Sequence, residues 1–496
     1  MYITILPTSL LSRTLTFLLV VLLTCSVAIA DKAPSPARKL FIGTASTSIT
    51  PDQPVALQGQ SHTRIARKVE SPVTANVVVL QSRQGDQVLD VAVMVSCDVC
   101  SLKQPLIDLT RQEIKKRLPE LDSKKVFLNT THTHTAPCIS IGSYDLPKGI
   151  MKVEEYHKFF AKRVAEAVEK AWKAQKPGGV SWGLGHAVVA YNRRVVFSDG
   201  SSQMYGNAHT DRFRKMEGPE DHGVEVLFFW DEDRKPIAAA INIPCPAQEV
   251  EDRSAVNADY WHPVREKLKA KYGKDLCVLG WIGAAGDQSP HFEHRSSWRR
   301  GAEERMRKLR GLTRLEEIAR RITRAVEDVF EATKSEIHYD APLVHVTQEV
   351  ELPARLVSEE EYAEAKKQLD ALKGKKDTAW KAARHRRVIE RYESQTPEET
   401  YGVELHFLRL GDVAIATNPF ELFTDYGIQM KARSKALQTF VIQLTGAGGR
   451  YLPTADAVAG GGYSAVVQSS TVGPKGGQAL VERTVKEINK LWAGKN

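Results

Sequence analysis

The chain of 496 residues is too long for one small module and suits one large catalytic-sized domain or two intimate ones. Hydrophobic residues make up 42% and charged residues 26%, which excludes a collagen-like, low-complexity or largely disordered chain and supplies a sizeable core. The net charge of +9, from 69 basic and 60 acidic side chains, raises nucleic acid or an anionic membrane as partners to be tested against the pattern.

Arg13 is the only charge in the first thirty residues, and the apolar run Thr14 to Ala30 ends in Ala28, Ile29 and Ala30. That is the pattern of a signal peptide over residues 1–30, with the domain expected over 31–496 and a periplasmic or extracellular location. Export leaves Cys97, Cys100, Cys138, Cys245 and Cys277, an odd number in an oxidising compartment, so the chain is no disulfide scaffold. Cys97 and Cys100 read as small core residues at the end of a buried strand.

Apolar, β-branched runs predict strands at Pro72 to Leu80, Val88 to Val95, Lys125 to Thr130, Val224 to Trp230, Pro236 to Ile243 and Asp275 to Ile282. Helical patterns fall at Leu106 to Leu118, Val153 to Trp172 and Tyr260 to Tyr272. The alternation implies an α/β fold, a mixed sheet covered by helices. The basic surplus concentrates in about 295–395, read as a charged helical insertion in which Leu315, Ile318, Ile322, Val326 and Val329 keep helical spacing. Aromatic interleaving is sparse there, so a solvated helix face is preferred to a nucleic-acid groove, leaving anionic lipid, as peripheral membrane-surface contact, or polysaccharide as open readings.

The densest polar cluster, Asn129 to Pro137, follows the strand KVFLN. Alternation in an extended chain puts His132 and His134 on one side, and an H-x-H pair at a strand end suits zinc as well as a structural hydrogen-bonded pair. A second cluster, Gly283 to His291, sets Ser289 on a glycine-rich turn after another strand. Thr445 to Tyr451 lacks the spacing and following helix of a dinucleotide site.

In combination these segments resemble the neutral, non-lysosomal ceramidase family. IGTASTSITP (Ile42 to Pro51) is similar to that family's domain start, THTHTAP to its T-H-T-H-S-G-P, GDQSP to its G-D-V-S-P, NPFELFTDYG (Asn418 to Gly427) to its P-G-E-F-T-x-x-x-G, and RYLPT (Arg450 to Thr454) to its Y-I-T-T. The resemblance runs in order from Ile42 to about Tyr463 and implies a single large ceramidase-type catalytic domain. It implies zinc (Zn2+) held by His132, Glu421 and Tyr451, with His134, Ser289, Arg193 and Tyr463 as catalytic groups. Where the family has a second zinc histidine followed by proline, this chain has Cys245 and Pro246; Cys245 as a thiolate ligand and a site that has lost its metal are the two outcomes. The family's trailing sandwich domain is not expected here. The function implied is zinc-dependent hydrolysis of an N-acyl amide, ceramide or a related lipid or amide, to fatty acid plus amine. The rivals are a non-catalytic exported binding protein on the same scaffold and a barrel-type zinc amidohydrolase with ligands at His222 or His262.

Overall fold

Valine-rich strands such as Thr74–Gln84 have no polar face, because alternate side chains enter two different cores. Val77 and Val79 pack under helices, while Val78 and Leu80 face a second sheet. The computed structural model describes residues 37–292, 296–376 and 378–493, and the expected signal peptide lies outside them.

The larger sheet has eight strands, in the spatial order Cys277–Ile282, Pro236–Ile243, Gly223–Asp231, Lys176–His186, Arg38–Ser48, Thr74–Gln84, Gln87–Cys97 and Val126–Thr130. Its two edge pairs are parallel and the interior pairs antiparallel. A four-stranded sheet, Leu343–Pro353, Thr400–Leu410, Val413–Thr417 and Gln438–Ile442, ends in a third parallel pair. Leu80, Met94, Phe127, Phe229, Leu279 and Trp281 of the first sheet share a core with Leu408, Ile415 and Phe440 of the second. The sheets therefore stack face to face.

Helices cover both outer faces. Gln104–Arg117 and Val153–Lys173 bury Leu106, Ile114, Phe160 and Val164 against one half of the large sheet. Trp261–Tyr272 and Arg314–Thr333 cover the other half, and Thr424–Arg433 and Pro474–Lys490 cover the small sheet. This is the expected mixed α/β architecture, built as a sandwich and not as a barrel. No helix among the described residues is long and apolar enough to cross a membrane.

One expectation needs correction. The basic stretch about 295–395, expected as a helical insertion with one or two further charged helices over Glu359 to Arg391, is not helical throughout, because the eleven-residue strand Leu343–Pro353 runs through it as an edge of the small sheet. Its alternating charges belong to an edge strand, which leaves one row of side chains in water. Arg314–Thr333 does bury Ile318, Ile322, Val326 and Val329, and Thr313 and Glu316 close its first turn as a capping box. Glu359–Ala371 and Ala379–Ser394 form a separate helical pair.

Candidate active site

The segments leaving the C-terminal ends of the six parallel-paired strands supply most of one polar cluster. Gln87–Cys97 leads to Cys100 and Val126–Thr130 to His132 and His134. Pro236–Ile243 leads to Gln248 and Glu251, and Cys277–Ile282 to Gly286, Asp287 and Ser289. Val413–Thr417 leads to Glu421 and Gln438–Ile442 to Tyr451, and these two residues are register partners in a short parallel bridge. Strand ends are where open α/β sheets present loops to ligands.

Backbone strain marks the same place. His132, Tyr205, Leu444 and Arg450 hold φ of 59°, 55°, 52° and 65°, in the left-handed region that non-glycine residues avoid. Gly59 (φ 111°) faces His134 so closely that a β-carbon there would lie 2.3 Å from the imidazole Cγ.

His132 donates from Nδ1 to the Cys100 carbonyl, which leaves the Nε2 lone pair turned inward. Nε2 lies 3.2 Å from His134 Nε2 and 3.5 Å from Glu421 Oε2. His134 Nδ1 lies 2.6 Å from Glu251 Oε2, and its Nε2 accepts from Gln248 Nε2 at 2.9 Å. Ligand atoms of Cys100, His132 and His134 all fall within 4.8 Å of one another, a candidate metal cluster. The donors fit a divalent cation: each imidazole has Nδ1 beside an acceptor, the Glu421 carboxylate stands 3.5 Å from the inward nitrogen of His132, and the Tyr451 phenol hydrogen-bonds to that carboxylate.

Arg193, buried at 3% exposure, braces the other side. It donates to Tyr205 Oη (2.9 Å), Gln248 Oε1 (3.2 Å), the Gly286 carbonyl (2.9 Å) and Tyr451 Oη (3.3 Å). Tyr463 meets Tyr451 edge to face at 5.8 Å and is 41% exposed. Asp287 of GDQSP ties the loops together, accepting from the Thr424 backbone N–H (2.8 Å), Thr424 Oγ1 (2.7 Å) and Asn192 Nδ2 (3.2 Å).

Electrostatics follow from burial opposed by neighbours. Burial alone would raise the Cys100 thiol, but His132 and His134 draw it down to about 6. Burial disfavours charged His134, yet Cys100 and Glu251 hold it up at about 8. Glu251 resists the upward push of burial through His134, His291 and Arg193 and sits at about 2. Burial and then the Glu421 carboxylate push the Tyr451 phenol far up, so without a cation beside it this group keeps its proton.

His132, His134, Glu421, Tyr451 and Tyr463 line one cleft of about 490 Å³, with Arg193 behind Tyr451. Two solved structures share the fold: a ceramidase complexed with C2, at TM-score 0.66 and 14% identity over 92% of this chain and 75% of that one, and the neutral ceramidase from Pseudomonas aeruginosa, at TM-score 0.67 and 15% identity over 91% and 74%. The chain has a ceramidase-type fold. No family model matches its sequence, and no curated protein matches it.

Within the ceramidase-type fold, two residues fall elsewhere than the resemblance implied. Cys245 is not in the cluster: it is fully buried in a core with Ile243, Tyr260 and Val264, its thiol facing the Val189 carbonyl at 3.5 Å, and burial keeps it protonated. The Cys–Pro turn directs position 245 into the core, and Gln248 three residues later reaches His134 and Arg193. Ser289 is 2% exposed with its hydroxyl toward Tyr205, and neither residue lines the cleft. His222 pairs with Glu220 at 3.3 Å, and neither it nor His262 lines the cleft, against the barrel reading. Sequence reasoning passed over Gln248, Glu251, Tyr205 and Cys100. Polar residues closing the otherwise apolar run NIPCPAQEVE, Asn242 to Glu251, were the available signal for the first two. All five described cysteines are free and buried.

Proposed function

We propose that this chain is an exported, zinc-dependent amidase that hydrolyses N-acyl amides, ceramide-like lipids among them, in the periplasm or outside the cell. The observation that supports the reading is a buried cluster in which Glu421 lies 3.5 Å from His132 and hydrogen-bonds to the Tyr451 phenol, flanked by His134 and Arg193, in a cleft of a ceramidase-type fold. His132, Glu421 and Tyr451 would hold the ion, with Cys100 within reach of the same imidazoles. A bound zinc supplies Lewis acidity toward a carbonyl and a lowered pKa for water.

The remaining groups have separate tasks. His134, held by Glu251 at Nδ1, lines the cleft with Nε2 beside Gln248; it exchanges the Gln248 hydrogen bond for the attacking water, accepts its proton and returns it to the leaving amine. Arg193 keeps a positive charge beside Tyr451, where negative charge develops on the amide oxygen, and Tyr463 offers a phenol from the cleft side. Ser289 acts through Tyr205, holding Arg193 in place. Water adds across the C–N bond: the carbonyl carbon gains oxygen, the nitrogen gains the proton, and fatty acid and amine leave.

The test couples metal analysis to turnover. Purified protein is expected to carry about one zinc and to release fatty acid from N-acyl substrates, with both lost in Glu421→Ala and turnover alone reduced about 100-fold or more in Arg193→Met. A zinc content below about a tenth of an equivalent, or unchanged turnover in Glu421→Ala, overturns the reading.

A further inference from the structure

Beyond the reacting centre, the cleft is strongly basic. Lys103, Arg384, Arg387 and Arg450 line it, and Glu421 is its one carboxylate among the described residues. Lys103, Arg387 and Arg450 have no carboxylate partner among the described residues, and Arg384 donates only to Ser469 Oγ (2.7 Å) while lying over the Tyr463 ring. Buried arginines elsewhere among the described residues do find carboxylates; Arg321, for instance, contacts Glu303 and Glu317, and Arg265 contacts Asp98. Unpaired cations sharing a partly buried cavity repel one another and lose solvation, a cost that folding does not require. Burial, then Arg450 and Arg384, lowers Arg387 to about 10. Three separate segments supply these charges: the residue before helix Gln104–Arg117, helix Ala379–Ser394, and the loop before Tyr451.

We propose that the non-acyl part of the substrate carries a negative charge, seated between Lys103, Arg387 and Arg450 while its amide lies at the His132–Glu421 centre. This deepens the amidase reading and depends on it for the reaction, in which water splits the C–N bond and the released amine keeps the anionic group. The cations lie inside a cleft and not on an outward face, which favours a small-molecule anion over a membrane surface.

The experiment compares N-dodecanoylglycine (carboxylate), N-dodecanoyltaurine (sulfonate) and O-phospho-N-dodecanoylethanolamine (phosphate) with neutral N-dodecanoylethanolamine. Wild-type kcat/KM is expected to favour at least one anion by roughly tenfold or more at low salt, with the preference shrinking as salt rises. Lys103→Ala/Arg387→Ala is expected to bring the ratio to about unity with an unfolding midpoint at or above that of wild type, since mutual repulsion is removed. Arg305→Ala, exposed and outside the cleft, keeps the ratio. Equal kcat/KM for all four compounds, or an unchanged ratio in the double variant, overturns the inference. Should none of the four be cleaved, the amidase reading fails, and calorimetric binding of the same compounds decides the anion site: a preference for an anion lost in the double variant upholds it, and equal affinities overturn it. Association with phosphatidylglycerol vesicles without discrimination among the free amides also overturns it.

Discussion

Gly286 is the point where two loops of the candidate site meet backbone to backbone. Its N–H donates to the Leu422 carbonyl at 2.7 Å, its carbonyl accepts from Arg193 at 2.9 Å, and a β-carbon on it would lie 2.3 Å from the Glu421 carbonyl oxygen. Gly286→Ala therefore has to part the GDQSP loop from the Glu421 segment by about 0.7 Å to restore a 3.0 Å contact. Overpacking of this kind costs about 1–3 kcal/mol of stability. A displacement near 1 Å of groups that must meet a reacting amide lowers turnover by about 100-fold. Denaturant unfolding, zinc stoichiometry and fatty-acid release would be followed together, with Gly301→Ala as control because nothing lies within 4 Å of its β-carbon position. The expected result is a lower midpoint and a large loss of kcat/KM in Gly286→Ala, with Gly301→Ala unaffected or slightly stabilised. Wild-type turnover and midpoint in Gly286→Ala would refute the claim that this contact sets the position of Glu421.

Two further outcomes are expected. Cys245→Ser places a hydroxyl in an apolar core and should destabilise by about 1–3 kcal/mol while leaving bound zinc unchanged; loss of zinc with unaltered stability would restore position 245 as a ligand. Glu404 is held at about 2, burial pushing it up and His406 and Arg111 pulling it further down. Its folded pKa lies below its value in the unfolded chain, so its contribution is complete above about pH 4.5 and is lost as pH falls toward 2. Unfolding measured from pH 7 to pH 3 should show a shallower decline for Glu404→Gln than for wild type, and identical slopes would refute the assignment.

The fold was largely legible because its strands are buried on both faces and read as continuous apolar runs, and its covering helices keep a one-sided stripe. The edge strand Leu343–Pro353 was not, since its alternating charge resembles the helices around it. His132 and His134 were visible as a local pair, whereas Glu421 and Tyr451 are thirty residues apart and meet only through a two-residue parallel bridge. Cys245 misled because ligand chemistry was assigned to a residue type before its direction was known. Backbone turns decide direction, and the turn at Pro246 points Cys245 inward and Gln248 toward His134.

The site draws residues from Cys100 to Tyr463, delivered by both sheets of the sandwich. No contiguous fragment contains it, and neither sheet holds it alone. On the amidase reading, metal binding would become a report on chain completion: a nascent or clipped chain can form much of its secondary structure and still offer a zinc ion nothing tighter than an isolated imidazole pair. Activity would then appear late and all at once during refolding, after the slow long-range pairings have closed.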